Sequence, residues 1–316
     1  MAGCVGLSLA ARAGEALGQS GPLTRIIFPF AAGGSGDMLC RQLAQHLPPL
    51  IDRSVIVENR TGGDGLIGIR AVKGAAPDTT TVLVTTGPTM YLLPMVENQP
   101  SYDSAKDFMP VSQLARFEFV VVVNPSIGVT DFKQLVAWIK ANPDKASYGV
   151  PSSGTIPHFT GWQLEKALGL SMTRVTYRGS APIITDLIGG HIPFAVTTLS
   201  DTITQHRAGA IRIVAVSGPT RSPFLPDVPN LKEAGVDLVA DGWYGMWLPA
   251  GSSPDFAKKL SAAAAEILAK PDIKEKLNAV SLIPVGSSPE DLTKALAADN
   301  TFWQPIVKAT GYKITN

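Results

Sequence analysis

The residues best suited to chemistry lie in short glycine- and hydroxyl-rich segments that follow apolar runs. The first segment is Ala31-Ala-Gly-Gly-Ser-Gly-Asp37, directly after the apolar run Ile26–Phe30. Glycine allows positive φ and lets the backbone approach a ligand closely. The first amides of a helix have no internal partner and lie at the positive end of its dipole, so this turn is suited to binding a small anion. We expect Asp37 to cap the helix that follows.

The same arrangement occurs twice more along the chain. Pro151–Pro157 contains Ser152, Ser153 and Thr155 and follows a predicted strand, and Thr85–Thr89 follows the apolar run Thr81–Val84. In an open α/β sheet, turns at the carboxyl ends of strands hold ligands. None of the three segments contains a lysine or an arginine. We therefore expect backbone amides and hydroxyls to bind an anion here without transforming it.

Alternative chemistries fit the sequence less well. Ser152 and Ser153 precede His158, which could indicate nucleophilic catalysis, but the chain shows no G-x-S-x-G elbow there and no identifiable orienting acid. The remaining histidines lack the spacing to other ligating residues that a metal site needs. We expect neither an enzyme nor a bound metal or cofactor.

Composition narrows the class of partner. The 316 residues include 27 basic and 26 acidic ones, interspersed and giving a net charge of +1, so nucleic acid and anionic membrane surfaces are unexpected partners. Hydrophobic residues make up 45% of the chain, which is enough for a substantial core. The two cysteines are Cys4 and Cys40, and we expect no disulfide between them.

Residues 1–23 are predicted to be the remnant of an export signal or a disordered leader. Small and apolar residues lead to Ala11-Arg-Ala13, which is similar to a signal-peptidase site, although a charged n-region is missing. Met1–Cys4 is similar to a lipoprotein box, but the apolar run continues past Cys4, and its lipidation stays open. No later stretch approaches the roughly 20 apolar residues of a membrane span. We therefore expect an exported protein.

Strands and helices alternate along most of the chain, which predicts an α/β fold with crossover helices. Val111–Leu114 and Val120–Val123 are predicted as separate strands, and a new series of elements starts after Asn124-Pro125. Asp241–Pro249 is predicted to cross back before a helical tail. This order predicts two lobes, 24–122 plus 246–316 and 123–245, with the ligand between them. Trp243, Tyr244 and Trp247 are predicted to pack this hinge, and an aromatic wall of the ligand pocket is the alternative.

In their order and spacing, six motifs are similar to those of one known family: Phe28–Asp37, Val57–Gly68, Ala75–Asp78, Gly154–His158, Tyr177–Gly190 and Arg221–Pro229. The chain resembles the extracytoplasmic solute receptors of tripartite tricarboxylate transporters, also called Bug proteins. The resemblance implies a type II-like, two-lobed periplasmic binding protein in which helices flank a central sheet in each lobe. It also implies a monomer that captures a small organic carboxylate (a di- or tricarboxylate or an aromatic acid) for the membrane permease subunits.

The resemblance nominates ligand-binding residues at matching positions. They are Ala32, Gly33, Gly34, Asp37, Thr86, Thr89, Ser153, Gly154, Thr155, His158 and Thr198. His158 is expected to donate a hydrogen bond from the start of its helix. Two alternative functions stay open at this point: a ligand-sensing subunit that signals to a sensor kinase and, less expected, an esterase-type enzyme.

Two positions depart from the family pattern. Gly36 stands where the family usually has a hydroxyl residue, so one polar contact is expected to be absent. Thr198 lies near the position from which a family aspartate often reaches the cleft. Without that negative charge, a ligand carrying an ammonium group is expected less than a plain carboxylate or an aromatic acid.

Overall fold

The computed structural model describes residues 22–314 as alternating strands and helices. The strands are β1 Leu23–Phe28, β2 Ser54–Asn59, β3 Thr81–Thr86, β4 Phe108–Val123, β5 Ser147–Val150, β6 Thr173–Thr176, β7 Phe194–Thr198, β8 Arg212–Val216, β9 Asp241–Pro249 and β10 Ile283–Pro284. The helices are α1 Ser35–His46, α2 Pro48–Ile51, α3 Leu66–Lys73, α4 Gly87–Val96, α5 Ser104–Asp107, α6 Phe132–Ala141, α7 Ile156–Leu168, α8 Ser180–Gly189, α9 Leu199–Arg207, α10 Pro254–Ala269, α11 Pro271–Ala279 and α12 Pro289–Thr310.

The strands form a continuous sheet in the order β2-β1-β3-β9-β4-β7-β5-β6. β1 pairs in parallel with β2 and β3, and β5 pairs in parallel with β6 and β7. β9 is antiparallel to both β3 and β4. The two parallel groups are therefore joined through the antiparallel strands β9 and β4.

β4 is a single strand, where the sequence predicted two. Phe108–Glu118 pairs with β9, and Phe119–Val123 pairs with β7 and β8. Two register irregularities, at Pro110/Ser112 and Gln113/Ala115, lie in the part of β4 that faces β9. Such irregularities bend a strand without ending it. The polar residues between the two apolar runs thus remain inside one strand.

The second half of β4 is buried on both faces. Phe119, Val121 and Val123 belong to the larger core cluster, whereas Val120 and Val122 belong to a smaller one under α8 and α9. Successive side chains of a strand point to opposite faces of the sheet. The unbroken apolar run in the sequence is therefore explained by helices that cover both faces.

α12 connects distant parts of the fold. It packs against α4, β4 and α7, and its Trp303 lies 6.4 Å from Phe159 of α7 between ring centroids. The chain then turns back, and the Ile314 amide donates to the Val96 carbonyl at the end of α4 over 2.8 Å. The predicted helical tail thus reaches the same region as the second glycine-rich turn.

The structure also bears on the cysteines, on membrane-spanning helices and on metal-binding side chains. Cys40 is a buried free thiol, while Cys4 and almost all of the predicted leader lie outside the described residues. Within 22–314, no helix has the length and apolar character needed to cross a membrane. The same residues contain no group of three or more side chains that could hold a metal ion.

Candidate functional site

The three glycine- and hydroxyl-rich turns meet at one cavity of about 520 Å³. The turn between β1 and α1 contributes Gly34, the turn between β3 and α4 contributes Thr86, and the turn between β5 and α7 contributes Ser152 through Thr155. Strands β4 and β9 supply aromatic walls. The sheet topology therefore brings together segments that are far apart in the sequence.

Five helices begin at this cavity. Each has its N-cap residue in the cavity lining; these residues are Gly34 of α1, Thr86 of α4, Thr155 of α7, Gly179 of α8 and Thr198 of α9. Free amides and the positive end of the helix dipole lie at each such terminus. Among the described residues that line the cavity, none is a lysine, arginine or histidine. The positive potential here comes from backbone dipoles.

Seven of the eleven nominated residues line the cavity. They are Gly34, Thr86, Thr89, Ser153, Gly154, Thr155 and Thr198. Ala32 is exposed on the first turn, and Gly33 lies beside it, but neither belongs to the lining. Asp37 and His158 are buried behind the two turns, at 3% exposure each. The structure therefore separates residues that face the cavity from residues that support it.

Asp37 supports the first turn and does not cap α1 as expected. α1 begins at Ser35 with Gly34 as its N-cap, so Asp37 is already the third helical residue. Its carboxylate accepts from the Gly33 amide over 3.0 Å, and also from Arg41 and Asn59 over 2.8 and 2.9 Å. Burial alone would raise the pKa of Asp37, but these hydrogen bonds outweigh burial and lower it. The Gly33 amide is thus engaged within the protein.

His158 supports the second turn in the same way, as a hydrogen-bond acceptor, and it does not belong to the cavity lining. Its Nδ1 accepts from the Gly154 amide over 2.9 Å. The ring packs 4.7 Å from Phe159 and 4.9 Å from Tyr312, between centroids. Burial, assisted by the charge of Arg174, lowers the pKa of His158 to about 4. His158 is therefore neutral at physiological pH.

The two turns share one local design. In each, a glycine with positive φ (Gly33 at 94° and Gly154 at 74°) donates its amide to a side chain four residues later. Glycine tolerates this left-handed conformation better than other residues. A sequence signal existed in the repeated spacing of a glycine and a polar acceptor four residues on, Gly33 with Asp37 and Gly154 with His158.

The hydroxyls that face the cavity are partly engaged by local structure. Thr86 caps α4 by accepting from the Thr89 amide over 3.3 Å, and the two hydroxyls lie 2.6 Å apart. The Thr155 hydroxyl donates to the Ser152 carbonyl over 2.9 Å. The Ser153 hydroxyl lies 3.0 Å from that of Thr176. These bonds fix the hydroxyl oxygens at the cavity edge while leaving them further hydrogen-bonding capacity.

The sequence offered an aromatic pocket wall only as the less favoured alternative for Tyr244. Tyr244, predicted to pack the hinge, lines the cavity, with its ring 5.0 Å from Phe117 and 6.2 Å from Phe28 between centroids. Burial raises the pKa of Tyr244 to about 12. A Cβ at Gly36 would lie 2.5 Å from the Phe28 ring and 2.7 Å from the Tyr244 ring. These rings therefore occupy the space that a hydroxyl side chain at position 36 would need.

A charged residue of the cavity was missed from the sequence. Asp201, in the first turn of α9, lines the cavity close to Thr198 and Ser200. The expectation that the cavity lacks a negative charge was therefore wrong. That expectation rested on the absence of an acidic residue at position 198. The acidic residue of the lining is Asp201, three residues later in the first turn of α9.

Comparison with known proteins identifies the family. Residues 39–312 match the model of the tripartite tricarboxylate transporter family receptors. The chain is 28% identical to protein BugT of Bordetella pertussis over 92% of this chain and 90% of BugT. It is 29% identical to an R. palustris protein solved with adipate, with a TM-score of 0.82 over 92% of this chain and 97% of that one.

A further solved structure is the periplasmic binding protein BugD. It is 28% identical to this chain, with a TM-score of 0.79 over 92% of this chain and 98% of BugD. The similarity to each of these three proteins therefore extends over 92% of the chain. The chain belongs to the tripartite tricarboxylate transporter family receptors, a family of periplasmic solute-binding proteins with the two-lobed α/β fold.

Proposed function

We propose that this protein captures a small organic carboxylate, a di- or tricarboxylate or an aromatic acid, in the cavity between the glycine-rich turns. The observation that carries the proposal is the convergence of five helix N-termini on a cavity without a basic side chain. Such termini bind anions through free amides and the helix dipole. The ligand would therefore be bound mainly by the backbone.

Within this proposal, the nominated residues have two roles. Gly34, Thr86, Thr89, Ser153, Thr155 and Thr198 contact the ligand through amides and hydroxyls, whereas Gly154 borders the ligand with its backbone, because its amide is donated to His158. Asp37 and His158 act indirectly, because they fix the glycine of each turn by accepting its amide hydrogen bond. Ala32 and Gly33 contribute the shape of the first turn.

The size and walls of the cavity fit this class of ligand. A volume of about 520 Å³ lies within the range of small-molecule sites, which is roughly 300–1,000 Å³. Phe30, Phe117, Phe119 and Leu92 provide apolar surface for a carbon chain or a ring. The R. palustris relative solved with adipate supports a carboxylate with a carbon body of this kind.

We propose that the ligand lies between two lobes, 24–122 plus 246–316 and 123–245, which close on it. β4 and β9 carry the chain across the centre of the sheet, and both contribute aromatic walls to the cavity. The closed, ligand-bound monomer would then deliver its cargo in the periplasm to the membrane permease of a tripartite tricarboxylate transporter.

The proposal is tested by identifying what the protein carries. Freshly purified protein is denatured, the released small molecules are identified by mass spectrometry, and the same acids are added back in a thermal-shift assay. We expect one or a few carboxylic acids that raise the melting temperature on re-addition. A protein that releases no acid and is stabilised by no member of a broad carboxylate panel would contradict the proposal.

A further inference from the structure

Asp201 is the one charged side chain among the described residues that line the cavity. It is the third residue of α9, whose N-cap Thr198 pairs with Phe119 across β7 and β4. The Asp201 side chain is exposed, and within residues 22–314 no hydrogen bond or ion pair engages its carboxylate. Asp201 therefore lines the cavity and has an unengaged carboxylate, whereas the other polar side chains of the described lining carry hydroxyls.

Asp201 lines the same cavity as Tyr244 of the aromatic wall. It acts on the Tyr244 phenol, which also lies beside Ser35 and Gly36 at the start of α1. Tyr244 in turn pairs with Thr86, the cap of α4, across β9 and β3. Asp201 thus contributes negative potential within the region where three helix starts contribute positive potential.

An acidic residue in a first turn also stabilises its own helix, so this role must be separated from one in binding. Asp255 occupies the first turn of α10, is exposed, and forms no hydrogen bond or ion pair within the described residues. Unlike Asp201, Asp255 does not line the cavity. The two aspartates share the helix-stabilising role, and the cavity position distinguishes Asp201.

We propose that Asp201 is a specificity-determining residue that selects a monocarboxylate whose far end carries a hydrogen-bond donor (a hydroxyl, amide or ammonium group) over a dicarboxylate. This inference rests on the proposed capture of a small organic carboxylate, and within that class it replaces di- and tricarboxylates by monocarboxylates that carry a donor. Like charges repel strongly where apolar walls lower the effective dielectric constant, so a second ligand carboxylate near Asp201 is disfavoured. A donor at the same place gains a charge-assisted hydrogen bond.

The test uses matched ligands that differ only at the far end. The first series is hexanoate, ω-hydroxyhexanoate, ω-aminohexanoate and adipate, and the second is benzoate, p-hydroxybenzoate and terephthalate. Calorimetry measures the dissociation constants for the wild type, Asp201→Asn, Asp201→Ser and the control Asp255→Asn. Circular dichroism and melting temperature establish that each variant is folded.

We expect the wild type to prefer the hydroxy or amino acid to the diacid of the same series. For either substitution at Asp201, we compare the dissociation constant of the diacid with that of the hydroxy or amino acid. The ratio of the first to the second should fall about tenfold relative to the wild type, the change expected for about 1.4 kcal/mol. Asp255→Asn should leave the ratio unchanged.

If acids bind but the ratio is the same in the wild type and both Asp201 variants, Asp201 does not determine specificity, and the proposed function stands. If no acid of a broad panel binds the wild type or any variant, both proposals are wrong.

Discussion

Asp37 and His158 have the same role in different chemical forms. Both accept the amide hydrogen bond of a glycine with positive φ four residues earlier, one as an ionised carboxylate and the other as a neutral imidazole. Asp37 is further bonded to Arg41 and Asn59, whereas His158 packs between Phe159 and Tyr312. Each residue fits its surroundings. Arg41 compensates the charge of the Asp37 carboxylate, and the aromatic surroundings of His158 contain an uncharged imidazole ring.

The neutral state of His158 makes stability depend on pH. The folded-state pKa is about 4, below the ordinary value of 6.5, so the unfolded chain takes up a proton between these values that the folded protein does not. The free energy of unfolding should therefore decrease as pH falls from 6.5 to 4, by on the order of 2 kcal/mol from this residue. Urea denaturation at a series of pH values measures this dependence.

The control is His158→Gln, which keeps a side-chain acceptor and does not titrate. The decrease in unfolding free energy between pH 6.5 and pH 4 should be smaller in the variant than in the wild type. Asp299, whose pKa is raised by burial to about 6, titrates in both proteins. Its contribution to the pH dependence of the unfolding free energy therefore cancels when the variant is compared with the wild type. Equal pH dependence in the two proteins would mean that folding does not lower the pKa of His158.

At the scale of the elements, the first turn is built so that its backbone faces open space. A Cβ added at Gly34 would meet no atom within 4 Å, and Gly34 has φ of −81°, which any residue can adopt. Gly34→Val should therefore leave the melting temperature of the ligand-free protein almost unchanged. It should weaken binding of the natural acid at least about tenfold, because the added side chain lies where the ligand would approach the amides.

Gly74 provides the matched control for this substitution. It also has negative φ, −86°, but lies at the end of α3, away from the cavity. Gly74→Val should retain normal ligand affinity by calorimetry. Normal affinity in Gly34→Val would show that the first turn does not contact the ligand closely.

The local elements were largely predictable, and the contacts between distant elements were not. Apolar periodicity and turn residues located the strand before each glycine-rich turn and the helix after it, because these depend on nearby residues. The start of α1 was placed too late because Ser35 and Gly36 are poor helix formers whose helical state depends on packing. The contact of Gly36 with Tyr244, and the position of Asp201 in the cavity, depend on how β7, β9 and β1 are arranged in the sheet.

At the scale of the whole molecule, the cavity is shared by elements from both parallel strand groups. Gly34 follows β1 in one group, and Gly154 follows β5 in the other. A ligand that contacts both turns favours the arrangement in which they are closest, because only contacts that differ between two states can shift their populations. The proposed lobes should therefore close on the ligand.

Small-angle scattering measures this closure. The radius of gyration should decrease when the natural acid is added at saturating concentration, and it should stay unchanged for Gly34→Val with the same acid. An equal radius for the free and saturated wild type would favour a rigid, preformed pocket.

In the proposed binding mode, helix N-termini recognise the negative charge of a carboxylate. The most direct test of this binding mode is the thermal stability of the protein with the acid identified by mass spectrometry and with the primary amide of that acid, which has nearly the same shape. At one hundred times its dissociation constant, the acid should increase the free energy of unfolding by about 2.7 kcal/mol, and the amide at the same concentration should increase it far less. Equal stabilisation by the acid and the amide would contradict this binding mode.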